Sequence, residues 1–296
     1  MRIIDIFNKV LCYKIKKNTV LFGQNITTGS RIAGMTNNIE KLEKVETINT
    51  QNSESSLIGF GFGLMLSKIN SLYLVKQLDF VLLGLDHIVN TLNFLTAQKV
   101  KSTFSIITYI VDSGYEGPQS RLNCLSEIAS MSKANCRFLV FPEDIKYNID
   151  KINQNGFNLL CLSQKYSREN FNPKLISHDK KGDNFQYSVG NKYTFIALGF
   201  AAYEVYKIII KNPKFSDVDF FVISNPKNFE KKYLLKSIKK TKNVYLFDQS
   251  KSELKSLNEI ECLISSTKNI KIKKYYNTDS IKKLYVNSDQ YNFNIR

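Results

Sequence analysis

Short apolar runs alternate with amphipathic stretches along most of the chain. Runs rich in β-branched and aromatic residues stand at 18–22 (NTVLF), 71–75 (SLYLV), 103–110 (TFSIITYI), 137–141 (RFLVF) and 157–161 (FNLLC). Their length and composition predict buried strands. Between them, 55–67, 79–96, 122–132 and 143–154 place apolar residues at helical spacing and predict helices. Strands that are apolar on both faces, separated by helices, indicate a parallel sheet with crossover connections.

Residues 163–190 break this rhythm. They are polar, carry NPK, His178 and KKGDN, and read as a connection between domains. The alternation then resumes with strand 193–198, helix 200–212, strand 217–223, helix 228–239, strand 243–248, helix 252–264 and strand 270–275. The expected fold class is therefore α/β with two domains, each a parallel or mostly parallel sheet flanked by helices. The first domain is placed at 1–165, a linker at 166–190 and the second domain at 191–296.

Composition narrows the function classes. The chain has 296 residues, of which 43% are hydrophobic and 23% charged, a globular balance. The nearest approach to a membrane span, 193–210, contains Glu204 and Lys207, so no membrane association is expected. The segment MRIIDIFNKVLCYKIKK has no uninterrupted apolar centre and no small-residue cleavage site. It does not read as a signal peptide, and a cytoplasmic location is expected.

The net charge of +16 first suggests nucleic acid. Its distribution argues otherwise: residues 1–150 hold 16 Lys and Arg against 13 Asp and Glu, and residues 151–296 hold 26 against 13. Six of the 42 basic residues are arginine, the residue whose fork reads phosphate and base edges best. The lysines read as solvated faces, and no specific nucleic-acid partner is expected. Five cysteines at 12, 124, 136, 161 and 262 show no metal spacing and read as buried free thiols. With two histidines, His87 and His178, a multi-histidine metal site is not expected.

The chemistry-bearing candidate is TQNSESSLIGFGFGL at 50–64. Gly59, Gly61 and Gly63 do not form the dinucleotide fingerprint, because SESSLI separates them from any strand. Small residues at this spacing let a helix pack closely on a neighbour. Glu54 stands at the start of that helix with Ser53 and Ser55 beside it. From the residues alone, it is an acid interacting with the helix dipole.

The segment resembles the pyrimidine-binding domain of thiamine-diphosphate enzymes in the transketolase group. It is most similar to the beta subunit of 2-oxo-acid dehydrogenases. In that family a Thr-Pro-Ile-Ser-Glu-type segment precedes a glycine-rich helix, and Thr50-Gln51-Asn52-Ser53-Glu54 occupies the place here. Asp79-Phe80 and Asp86-His87-Ile88-Val89-Asn90 resemble the family's acidic-aromatic segment and following helix. GYEGP at 114–118 resembles a transketolase loop. Lys192–Gly199 and SIKKTKNVYLFDQ at 237–249 resemble parts of the family's C-terminal domain. The matches keep family order from about 18 to 265.

The resemblance implies a pyrimidine-binding domain followed by a transketolase C-terminal-like domain. It implies that Glu54 hydrogen-bonds a nitrogen of the cofactor's aminopyrimidine, so that the ring can take a proton from the thiazolium carbon. That role needs a carboxyl that holds a proton at neutral pH. Phe80 is the expected aromatic lining of the pyrimidine pocket, and Glu116, Gln119, Ser120 and Arg121 form an expected substrate loop. The chain has no Gly-Asp-Gly motif; the nearest string is Gly182-Asp183-Asn184. The resemblance therefore implies an alpha-type partner that holds the diphosphate and Mg²⁺, with self-association in an α2β2 assembly, and no metal on this chain. A split transketolase and a degenerate, non-catalytic assembly subunit are the alternatives. The second draws support from the absence of the family's histidine after Gly117-Pro118.

Overall fold

The computed structural model describes residues 1–112, 124–248, 257–265 and 269–276. The chain divides into two units, Met1–Phe171 and Asn172–Arg296. Each unit is built on a six-stranded sheet, and the α/β class read from the sequence is the observed one.

In the first unit the strands are β1 (Val20–Gly23), β2 (Glu46–Asn49), β3 (Ser71–Gln77), β4 (Thr103–Ile110), β5 (Asn135–Phe138) and β6 (Gly156–Ser163). They lie in the order β2-β1-β3-β4-β6-β5, every pair parallel. β4 is buried at all eight positions, as a strand covered on both faces must be. The helices are α1 (Ile3–Lys14), α2 (Glu54–Leu66), α3 (Leu92–Ala97), α4 (Leu125–Met131) and α5 (Pro142–Asn148). β2 runs outward from β1 and the chain returns to β3 on the other side. The connections therefore diverge between β1 and β3, the crevice where open α/β sheets bind ligands.

Two expectations for this unit need correction. Residues 79–96 do not form one helix. A 3₁₀ turn (Leu78–Gly84) is followed by a π turn (His87–Thr91) that leads into α3, with a 74° bend between the two halves. The 3₁₀ turn packs closely on α2, where a Cβ on Gly84 would lie 2.5 Å from Ile58 Cδ1. The proposed linker at 166–190 is also largely built into the units. Tyr166 and Phe171 are buried, and the backbone carbonyls of Ser167 and Glu169 accept from Ile4 and Ile3 N–H at 2.8 and 3.1 Å. That ties 166–171 to α1. Further on, β7 (Ser177–His178) and β8 (Asn184–Ser188) are strands of the second sheet.

The second unit continues with β9 (Tyr193–Leu198), α6 (Ala201–Lys211), β10 (Val218–Ile223), α7 (Lys231–Thr241), β11 (Asn243–Asp248), α8 (Asn258–Ser265) and β12 (Lys271–Tyr276). Its order is β12-β11-β9-β10-β8-β7. β12 to β10 are parallel, and β8 and β7 pair antiparallel at one edge. The Thr194 hydroxyl meets Ser237 and Thr241 at 2.7 Å each and fixes α7 on β9. Among the described residues no single helix is long and apolar enough to cross a membrane.

All five cysteines are free. Cys124, Cys136 and Cys161 are buried as expected, whereas Cys12 is half-buried and Cys262 exposed. The sequence gives no signal that separates an exposed thiol on an amphipathic helix from a buried one.

Candidate active site

Glu54 and Phe80 follow the carboxyl ends of β2 and β3. β1 ends in Gly23, whose backbone comes so close to β3 that a Cβ would lie 2.2 Å from Leu74 O, and whose φ is +150°. A side chain there would push the two strands apart. At the end of β2, Asn49 clamps the adjacent turn: its Nδ2 donates to Thr27 Oγ1 at 2.5 Å and its Oδ1 accepts from Thr27 N–H at 3.2 Å. Thr50 N–H donates to Gly23 O at 3.0 Å. These bonds fix the path from β2 into α2.

Glu54 is the first residue of α2 and is half-buried. The helix end draws negative charge to this position. Ser53 does not cap the helix with its side chain; its hydroxyl instead donates to Ser56 Oγ at 2.9 Å. Among the described residues the Glu54 carboxylate makes no hydrogen bond or ion pair, so its oxygens are open to a ligand. Tyr73 of β3 is 2% exposed, with its ring stacked on Phe22 at 5.1 Å. Burial first, and then the charge of Glu54, push its phenol pKa well up. Tyr73 is thus a neutral group within the electrostatic reach of Glu54.

The glycines of α2 divide by function. A Cβ on Gly61 would lie 2.3 Å from the Phe104 ring, and one on Gly59 3.0 Å from His87 Nε2. Gly63 has nothing within 4 Å. Close packing therefore explains the first two and not the third. His87 Nδ1 lies 3.1 Å from Thr91 Oγ1, with the ring lodged against α2.

Phe80 is half-buried on the 3₁₀ turn that leaves β3. Contact between Gly84 and Ile58 holds that turn against α2. Glu54 and Phe80 thus stand on two elements packed together at one edge of the sheet. Glu116, Gln119, Ser120 and Arg121 lie outside the described residues. Asp112, at the last described position before them, is buried and accepts from Ser163 Oγ at 2.6 Å and Lys165 N–H at 2.8 Å. Sequence reasoning did not single out Gly23, Asn49, Tyr73 or Asp112. A glycine closing a β-branched run was the available signal for the first.

Among the described residues no group of three or more His, Cys, Asp or Glu is placed to hold a metal ion.

No protein-family model matches the sequence, and no curated protein matches it. Among solved structures, the chain matches a split-gene transketolase, an inactive beta4 tetramer. The TM-score is 0.72, and the match covers 96% of this chain and 91% of that one. The chain has that fold. The two sequences are 13% identical, so the likeness is one of fold.

Proposed function

We propose that this chain is the beta-type subunit of a heteromeric thiamine-diphosphate enzyme of transketolase type. The observation that carries the reading is Glu54: a half-buried carboxyl at a helix start, open to a ligand, at the divergent crevice of a transketolase-like fold. When bound, the cofactor supplies a nucleophilic carbon that adds to a carbonyl substrate. Glu54 would hold a proton on the aminopyrimidine, and Phe80 would line the ring's pocket. Glu116, Gln119, Ser120 and Arg121 would serve as the substrate loop. An alpha-type partner would supply the diphosphate and Mg²⁺ site, and the working assembly would be an α2β2 complex in the cytoplasm.

Two substrate classes follow from two observations. The fold match to a split transketolase supports ketol transfer from a ketose phosphate. The segments at 53–63 and 86–90, which resemble 2-oxo-acid dehydrogenases, support decarboxylation of a 2-oxo acid. The test is reconstitution with a partner chain bearing a Gly-Asp-Gly motif, assayed with Mg²⁺ and cofactor against ketose phosphates and 2-oxo acids. Turnover of one class assigns the branch. A stable complex without turnover of either would leave an assembly subunit and overturn the catalytic reading. The isolated chain is expected to bind thiamine diphosphate poorly in calorimetry, and micromolar binding would refute a divided site.

A further inference from the structure

The second unit contains a groove that the reading above does not use. It lies between α7 and the strands β7, β8 and β10 and encloses about 760 Å³, within the usual range of small-molecule sites. Its floor is a buried carboxylate that is hydrogen-bonded and ion-paired. Asp219 is 1% exposed and accepts from Ser237 Oγ at 2.6 Å, Gln186 Nε2 at 3.0 Å and Gly190 N–H at 3.1 Å. Lys240 Nζ pairs with it at 2.6 Å.

The wall is unbalanced. Lys232, Lys236 and Lys240 follow one another at four-residue steps along α7, so their side chains rise on one face. Lys240 is used by Asp219. Among the described residues neither Lys232 nor Lys236 makes an ion pair. Opposite the lysines, Phe221 of β10 lies edge-on to Tyr233 of α7 at 5.7 Å, and Val189 is 60% exposed. At one end the hydroxyls of Ser177 and Tyr233 share a hydrogen bond. Ser177 Oγ donates to Gln186 Oε1 at 2.8 Å, so Tyr233 is the donor in this pair, and burial, as the main cause, raises its pKa and keeps it neutral.

We infer that this groove binds a small phosphomonoester with an apolar or planar body. Lys232 and Lys236 face the dianion, and Phe221, Tyr233 and Val189 receive the body. Glu230 also lines the groove, so Lys232 and Lys236 leave it one net positive charge beyond the Asp219–Lys240 pair, and lysine meets phosphate as a point charge. Lys240, at 2.6 Å, offsets the charge of Asp219 beneath. This inference is independent of the cofactor reading, because it uses the second unit alone.

The experiment is calorimetry on the full chain with three probes: phenyl phosphate, inorganic phosphate and benzyl alcohol. Phenyl phosphate should bind at least about tenfold more tightly than either fragment. The double variant Lys232→Ala/Lys236→Ala should lose about tenfold in affinity for it, with the melting temperature unchanged. Lys16→Ala/Lys17→Ala in the first unit, an equal charge change, should leave the affinity as it was. Three results would overturn the inference: no binding of phenyl phosphate at millimolar concentration, equal affinity for phenyl and inorganic phosphate, or equal loss in the two lysine variants, which would mark an effect of net charge alone.

Discussion

Two glycines two residues apart on α2 should respond oppositely to the same substitution. Gly61→Ala adds a methyl whose carbon would lie 2.3 Å from Phe104 Cε2 and Cζ and 2.7 Å from Cε1. Carbon pairs rest at about 3.5–4.0 Å, so something must move by more than about 1 Å. Phe104 cannot swing away cheaply. It is fully buried on the central strand, with Phe62 at 5.1 Å, Phe157 at 5.2 Å and Phe22 at 6.2 Å around it. Overpacking of this kind costs about 1–3 kcal/mol, and the displacement argues for the upper end. Alanine's better helix propensity returns about 1 kcal/mol, leaving a net loss of about 1–2 kcal/mol. Gly63→Ala meets nothing within 4 Å and should stabilise the isolated chain by about 0.5–1 kcal/mol. Urea denaturation followed by far-ultraviolet circular dichroism measures both. The midpoints should move in opposite directions, with a difference of about 2 kcal/mol between the variants at an unchanged slope. Shifts of the same sign and size would refute the packing argument for Gly61.

Further outcomes follow from buried polar and titrating groups. Burial first, with nearby Asp79 and Glu127 adding, pushes the Cys124 thiol up to about 12, against 9.0 for a free thiol. Above pH 9 the unfolded chain loses this proton before the folded one does. Stability should therefore fall as pH rises from 9 towards 12, and Cys124→Ala should flatten that slope by at most about 1.4 kcal/mol per pH unit. An unaltered slope in denaturation series across this window would contradict the assignment. Asp219→Ala strands Ser237 Oγ, Gln186 Nε2 and Gly190 N–H, and should destabilise the second unit by about 2–4 kcal/mol in thermal unfolding. A change below about 0.5 kcal/mol would show that water replaces the carboxylate. Glu54→Gln should bring the Tyr73 phenol pKa down, because a neighbouring negative charge is removed, and titration of the labelled ring by NMR reads the shift directly.

What the sequence disclosed and what it hid have physical causes. Strands 103–110, 193–198 and 243–248 were legible to the residue because both faces are buried, leaving continuous apolar runs. β2 was hidden because Glu46–Asn49 is a half-exposed edge strand of polar composition. β7 and β8 were hidden because they form an antiparallel edge around the polar turn HDKKGDN, which reads as a loop. The 79–96 segment has helical periodicity, but periodicity does not distinguish an α-helix from a 3₁₀ turn joined to a π turn. Glu54 and Phe80 were chosen through the resemblance; the structure puts them on α2 and on the Leu78–Gly84 turn, two elements that pack together. Tyr73 looked like an ordinary strand aromatic, since pairing with Phe22 and proximity to Glu54 exist only in the folded sheet.

The central claim rests on Glu54 as the group that holds a proton on the cofactor's aminopyrimidine. Proton exchange at the thiazolium carbon, followed by NMR in the complex reconstituted with its partner, tests it most directly. Glutamine is nearly isosteric and can hydrogen-bond but cannot shuttle a proton. Glu54→Gln should therefore slow exchange about 10²–10⁴-fold while the complex and its melting temperature stay close to those of the parent. Exchange at the parent rate, together with a stability loss of about 1 kcal/mol, would leave Glu54 as a charge on a helix end and contradict the account.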